Sequence, residues 1–145
     1  GGGSTELIFG SSYKLNFAKS FPFGAVYLTE KYLNNENPSG KNIFQMESEI
    51  KEQIHKFNNL ANEEFNAIAV AGTPTTLSGI KQKLRFYKES SIDGSTIDVH
   101  FIKKMVKEFA SLTPKQILDS YGLIVNGRED IILAGTIILS AIQFS

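Results

Sequence analysis

The chain has 145 residues, 41% of them hydrophobic, which suffices for one domain to bury a core of its own. Fifteen Lys and Arg balance fifteen Asp and Glu, which argues against a general nucleic-acid or membrane-surface role and confines any polyanion site to a local patch. The absence of cysteine removes disulfides, thiolate zinc sites and cysteine nucleophiles, and no apolar run approaches the roughly 20 residues that span a bilayer.

The first six residues are Gly1-Gly2-Gly3-Ser4-Thr5-Glu6. Three glycines let a backbone approach an anion and point N–H groups at it, and Ser4 and Thr5 add hydroxyl donors. The same Gly-Ser composition also suits a flexible linker, so both readings stand on these residues alone. Glu6-Leu7-Ile8-Phe9, a turn at Gly10-Ser11-Ser12 and the run Tyr13 to Phe21 read as a hairpin. Gly24 to Leu33 reads as a short helix with Val26, Leu28 and Tyr32 turned inward, followed by a loop from Asn34 to Gly40. From Ile43 to about Ala61, Met46, Ile50, Ile54, Phe57 and Ala61 recur at helical spacing opposite Glu47, Glu49, Lys51 and Glu52.

Ala67-Ile68-Ala69-Val70-Ala71 is short and apolar, the pattern of a strand covered on both faces. Gly72-Thr73-Pro74-Thr75-Thr76 then turns the chain into a helix that begins near Thr75. Strand, Gly/Thr turn and helix N-terminus together are the parts of an α/β ligand site. Lys81, Arg85 and Lys88 follow at i, i+4 and i+7 with Lys83 nearby, a stripe that suits a polyanion but more often is a solvated helix face. Ile97-Asp98-Val99 reads as a small strand before a helix from Phe101 to Leu112, and Thr113-Pro114 opens another helix. Arg128 to Ile142 is apolar on all sides after its first turn, the pattern of a helix buried under the sheet. His55 and His100 lie far apart without ligand-like partners and form no metal site. Pattern alone gives the α/β class and no special topology.

Four segments carry more. GGGSTELIF, SFPFGAVYLTEKYL from Ser20, VAGTPTTLSGI from Val70 and GREDIILAGTIIL from Gly127 resemble, in order and at suitable spacing, segments of the exopolyphosphatase / guanosine pentaphosphate phosphohydrolase (Ppx/GppA) family. The resemblance covers almost the whole chain. It implies an α/β, actin-like (ribonuclease H-like) domain, strands followed by packed helices, as the second, C-terminal domain of a two-domain core. In the family the glycine turn follows a metal-site aspartate and a domain with the first phosphate loop and the catalytic base, and another strand follows the last helix. Residues 1–145 are therefore expected to be a single domain truncated at both edges, and inactive when isolated.

What the resemblance implies for the site is specific. Gly1, Gly2, Gly3, Ser4 and Thr5 form the second phosphate loop, and Glu6 is the catalytic carboxylate beside the attacking water and a metal ion, Mg²⁺. Gly72, Thr73, Thr75 and Thr76 face the phosphate chain, and Arg128 presents a planar guanidinium to phosphate. Plainer readings stay open: a strand-edge carboxylate for Glu6, a Thr-capped helix start for Thr75, a solvated first turn for Arg128-Glu129-Asp130. Asp93 stands before Gly94 where many members carry His.

The implied activity is hydrolysis of terminal phosphoanhydride bonds of inorganic polyphosphate, or of the 5′-phosphate of guanosine pentaphosphate in the stringent response. The full-length protein is expected to be a cytoplasmic homodimer with no nucleic-acid or membrane partner. The alternative is a non-catalytic nucleotide- or partner-binding domain of the actin-like superfamily.

Overall fold

The computed structural model describes residues 2–33, 38–55 and 66–143. Strands β1 (Thr5–Ser11) and β2 (Lys14–Phe21) pair antiparallel around a two-residue turn, Ser12-Tyr13, later than the expected Gly10-Ser11-Ser12. Both turn residues take positive φ, 46° and 69°, the hand that matches the twist of the strands. The ladder slips once. Gly10 faces Leu15 but Phe9 faces Phe17, so Asn16 is an extra residue in β2. Such a bulge moves every pair beyond it, and it sets Ser20, not Lys19, opposite Glu6.

Helix α1 (Ala25–Tyr32) buries Ala25 and Leu28. Val26, expected inside, is exposed, because its position on the helix faces the Gly2 backbone instead of the core. Helix α2 (Gly40–Ile54) starts before Ile43 because Ser39 caps it, accepting a hydrogen bond from Asn42 N at 3.2 Å. Met46, Ile50 and Ile54 line its buried face as expected, while Phe57 and Ala61 lie outside the described residues.

The expected strand at Ala67 to Ala71 is not formed. Residues 66–70 are irregular and exposed, with Ile68 89% and Val70 78% accessible. An apolar run signals a tendency to be covered, but a strand also needs a backbone partner, and β1 and β2 pair with each other in a two-stranded sheet. Helix α3 (Gly72–Lys81) then begins at Gly72, three residues before Thr75. It ends before Arg85 and Lys88, so the expected stripe does not share one helix face. The stop is a reverse turn in which Lys83 N bonds Ile80 O and Leu84 N bonds Gly79 O, with Lys83 at φ 57°. A left-handed lysine costs about 1 kcal/mol there.

A short helix α4 (Glu89–Ile92) leads to α5 (Val99–Ala110). Asp98 caps α5 through Phe101 N at 2.8 Å, which makes Ile97-Asp98-Val99 a helix start and not a strand. Helix α6 (Pro114–Tyr121) has the Pro at its first turn and a full capping box between Thr113 and Gln116. Turns occupy 125–131, so the last helix, α7 (Ile132–Gln143), begins four residues after Arg128.

Helix α7 is the centre of the molecule. Ile132, Leu133, Ala134, Ile137, Ile138 and Ala141 are buried in one cluster with Leu28, Met46, Leu77, Met105 and Phe109. Its main partners are helices α1, α2, α3 and α5, whereas a place under the sheet was expected. Each large apolar side chain removed from water here contributes about 1.5–3 kcal/mol. The one buried hydroxyl in α7, Thr136 Oγ1, donates to Ile132 O at 2.7 Å.

Helix α1 is tied to α2 by a polar cluster. Lys31 Nζ lies 2.7 Å from Glu49 Oε2, and the hydroxyls of Tyr27 and Tyr32 also donate to that carboxylate. Burial alone would raise the Glu49 carboxyl, but the donors from Lys31, Tyr32 and Tyr27 outweigh it and hold the group below the usual range. Among the described residues no helix is long and apolar enough to cross a membrane.

Candidate active site

Gly1 lies outside the described residues; Gly2 to Thr5 run along the N-terminus of α1. Gly2 O accepts from Val26 N at 2.9 Å and from Tyr27 N at 3.1 Å, two helix-start donors that would otherwise lack partners. A Cβ on Gly2 would meet Val26 Cγ2 at 3.0 Å, while Gly3 faces open space. Thr5 Oγ1 donates to Phe23 O at 2.7 Å, so that hydroxyl holds the loop in place.

Glu6 is exposed on β1. Its Oε1 accepts from Ser4 Oγ at 2.7 Å and from Ser20 Oγ at 2.9 Å. These hydroxyls, Ser4 foremost, hold its carboxyl below the ordinary carboxylate range. A carboxylate so stabilised is a weak proton acceptor at neutral pH and a good oxygen ligand or water-orienting acceptor. Ser20 was not anticipated as part of the site, because only the bulge at Asn16 brings it opposite Glu6.

The second constellation is the start of α3. Ala71 precedes it at φ 87°, ψ −173°, a backbone region nearly reserved for glycine, and offers no side-chain cap. Pro74 has no N–H, so the uncapped donors of the first turn belong to Gly72 and Thr73. Over this end lies Arg128. A Cβ on Gly72 would stand 1.9 Å from Arg128 Nη1 and 2.0 Å from its Cζ, so the guanidinium occupies the space that a side chain at Gly72 would take. Thr73 is packed just as tightly on α7, where a Cβ on Gly135 would meet Thr73 Oγ1 at 2.1 Å. Thr75 Oγ1 bonds back to Gly72 O at 2.9 Å and to Ala71 O at 3.1 Å, and Thr76 is buried.

Neither Ala71 nor Gly135 was singled out from the sequence. A positive-φ alanine has no compositional signal. Gly135 sits in GREDIILAGTIIL, where its role was hidden by the uniform apolarity of the helix.

The structure thus joins Arg128 to Gly72 and joins Glu6 to Ser4 within the loop. Lys81 belongs to neither group: its Nζ pairs with Asp98 Oδ2 at 3.0 Å and donates to Thr96 O at 3.1 Å. Among the described residues no three His, Cys, Asp or Glu side chains cluster as a metal cage. Glu6 alone suits a hard cation such as Mg²⁺, which is commonly held by one or two carboxylates together with water and substrate phosphates.

The Ppx/GppA phosphatase family model matches residues 1–143. A bifunctional 3-dehydroquinate synthase/phosphatase of Fusobacterium nucleatum is 30% identical over 157 residues, covering 98% of this chain and 21% of that protein. Exopolyphosphatase 2 of Mycobacterium tuberculosis is 26% identical, with 96% of this chain and 44% of the relative covered. The crystal structure of the Aquifex aeolicus Ppx/GppA family member superposes with a TM-score of 0.86 at 26% identity, over 97% of this chain and 45% of that one. This chain therefore spans less than half the length of the relatives it matches.

Proposed function

The chain belongs to the Ppx/GppA phosphatase family, and from that membership we propose that it forms the second lobe of a two-lobed catalytic core that hydrolyses terminal phosphoanhydride bonds. Inorganic polyphosphate and the 5′-phosphate end of guanosine pentaphosphate are the substrates in this reading. The observation that carries it is the Arg128 guanidinium set over Gly72 at an uncapped helix start. Two sources of positive potential, a helix N-terminus and a planar cation, converge there without a carboxylate cap to satisfy them.

Phosphoryl transfer asks a protein mostly for positioning and charge neutralisation. The N–H groups of Gly72 and Thr73 and the fork of Arg128 bind phosphoryl oxygens on one side. The backbone of Gly2 to Ser4, open at Gly3, takes the terminal phosphoryl group on the other. Glu6, kept ionised by Ser4 and Ser20, orients water in line with the bond to be broken. Mg²⁺, held in part by Glu6, supplies further neutralisation of phosphate charge when bound. In this reading the catalytic base and a metal aspartate come from the other lobe, and the enzyme works as a cytoplasmic homodimer. The coverage of less than half of each relative supports a partner lobe in the active protein.

The test is Glu6→Gln in a protein that carries the whole catalytic core. Turnover should fall by about two to four orders of magnitude with substrate binding and folding intact. Near-normal turnover removes Glu6 from the chemistry. The 145-residue chain alone should bind tripolyphosphate without Mg²⁺-dependent release of phosphate, and robust release by it would overturn the division of the site between lobes.

A further inference from the structure

Helix α1 begins without a side-chain cap. Its N-cap residue is Gly24, which offers no side-chain acceptor, so the N–H groups of Val26 and Tyr27 depend on Gly2 O, at 2.9 and 3.1 Å. Ala25 and Leu28 turn inward from the same helix, while Val26 is 38% accessible and belongs to no part of the core cluster. Valine is also a weaker helix former than alanine or a straight-chain residue, so helix propensity does not account for it either. Val26 stands instead against Gly2. A Cβ on that glycine would lie 3.0 Å from Val26 Cγ2 and 3.5 Å from Val26 Cβ, and apart from its chain neighbours no other described atom comes within 4 Å of it.

The backbone itself does not demand glycine at this position. Positive φ among the described glycines is confined to Gly94, Gly122 and Gly127, so the obstacle to a side chain at Gly2 is Val26.

We propose that Val26 is a positioning residue for the glycine loop: its N–H grips Gly2 O, its branched side chain sets how close Gly2 comes to α1, and together they aim the Gly3 N–H at the phosphate. The inference rests on the phosphoanhydride reading above. In a trans peptide the C=O and the N–H point in opposite directions, and no described peptide bond is cis. Gly2 O faces the start of α1, so the Gly3 N–H faces away from it, and Gly3 is exposed. Two donors on one carbonyl also polarise that peptide, which makes the Gly3 N–H a better donor to an anion. Valine suits the task because a β-branched side chain in a helix keeps one χ1 rotamer, so Cγ2 does not swing aside. Tyr27 N shares the grip, but its side chain is committed elsewhere, its hydroxyl donating to Glu49 Oε1 at 3.2 Å.

The test is a double-mutant cycle on Gly2 and Val26 in the 145-residue chain, read by tripolyphosphate affinity and by hydrogen exchange at the amides of Val26 and Tyr27. Gly2→Ala should weaken tripolyphosphate binding about fivefold, the order of one misaligned hydrogen bond, and speed exchange at both amides, because the new methyl pushes the loop off the helix start. Val26→Ala should cost about twofold by itself, since the N–H grip remains while the side-chain stop is lost. The double variant Gly2→Ala, Val26→Ala should return to the level of Val26→Ala. Gly2→Ala combined with Val26→Thr, which keeps the branched shape, should stay as weak as Gly2→Ala alone. All four variants should melt near wild type, because both positions are exposed. Losses that simply multiply in the double variant overturn the positioning role while the phosphate reading stands. Rescue by Val26→Thr as complete as by Val26→Ala also overturns it, because the shape of the side chain would then not matter. Failure of the wild-type chain to bind tripolyphosphate overturns the phosphate reading and this inference with it.

Discussion

At the start of α3 the chain is fixed by exclusion: Gly72 leaves room for Arg128, Gly135 leaves room for Thr73, and a methyl group at either place collides. At Gly2 to Glu6 it is fixed by hydrogen bonds, from the α1 backbone to Gly2 O and from Ser4 and Ser20 to Glu6, with Gly3 facing open space. The contrast separates two ways of holding a glycine-containing turn at a helix start. The packed corner is intolerant of volume where a short branched side chain stands in the way, as Thr73 does at Gly135; the hydrogen-bonded loop has room at Gly3 and responds to the loss of a donor.

The largest effect should come from Gly135→Ala. Thr73 is β-branched and sits at a helix start, so it has little freedom to move from a new methyl 2.1 Å from its Oγ1. Overpacking of this kind costs about 1–3 kcal/mol, or roughly 3–10 °C in Tm for a domain of this size. Calorimetry that finds an unchanged Tm would break the idea that the corner is sterically built.

Gly72→Ala separates binding from stability. The atoms in its way belong to the end of a long side chain, so Arg128 swings off at small cost to folding. Tripolyphosphate affinity should drop about tenfold, the order of one charge-assisted contact, with Tm nearly unchanged. An unaltered affinity would detach Arg128 from phosphate binding.

The smallest effect belongs to the hydrogen-bonded side. Ser20→Ala removes one of two donors that lower the Glu6 carboxyl, so its pKa rises toward the ordinary value. A carboxylate with a depressed pKa stays ionised to lower pH, so losing the donor moves the acid limb of kcat/KM upward in pH. A profile unchanged on its acid side would show that Ser20 does not tune Glu6.

The same contrast explains what was legible in the sequence. Glycine and threonine patterns located both segments, and the helices α1, α2, α5 and α6 follow from periodicity and capping residues. Contacts across elements were not legible. Arg128 is 56 positions from Gly72 in the chain, and nothing local in either segment specifies that one lies over the other. The pairing of Glu6 with Ser20 depends on the extra residue Asn16, and a regular ladder would have given Lys19. The segment Ala67 to Ala71 was read as a strand because apolar content reports a tendency to be covered and not the partner that covers it. Helix α3 was extended through Arg85 and Lys88 because the left-handed Lys83 that ends it carries no glycine signal.

In the proposed function, Gly2 to Ser4 and the Gly72–Arg128 corner hold one phosphate chain. Titrating the 145-residue chain with tripolyphosphate while following its amide resonances tests this directly. The amides of Gly3, Ser4, Gly72 and Thr73 and the Arg128 side-chain N–H should all shift along one binding curve with a single Kd. Shifts confined to one of the two segments, or two curves with separate Kd values, would contradict it.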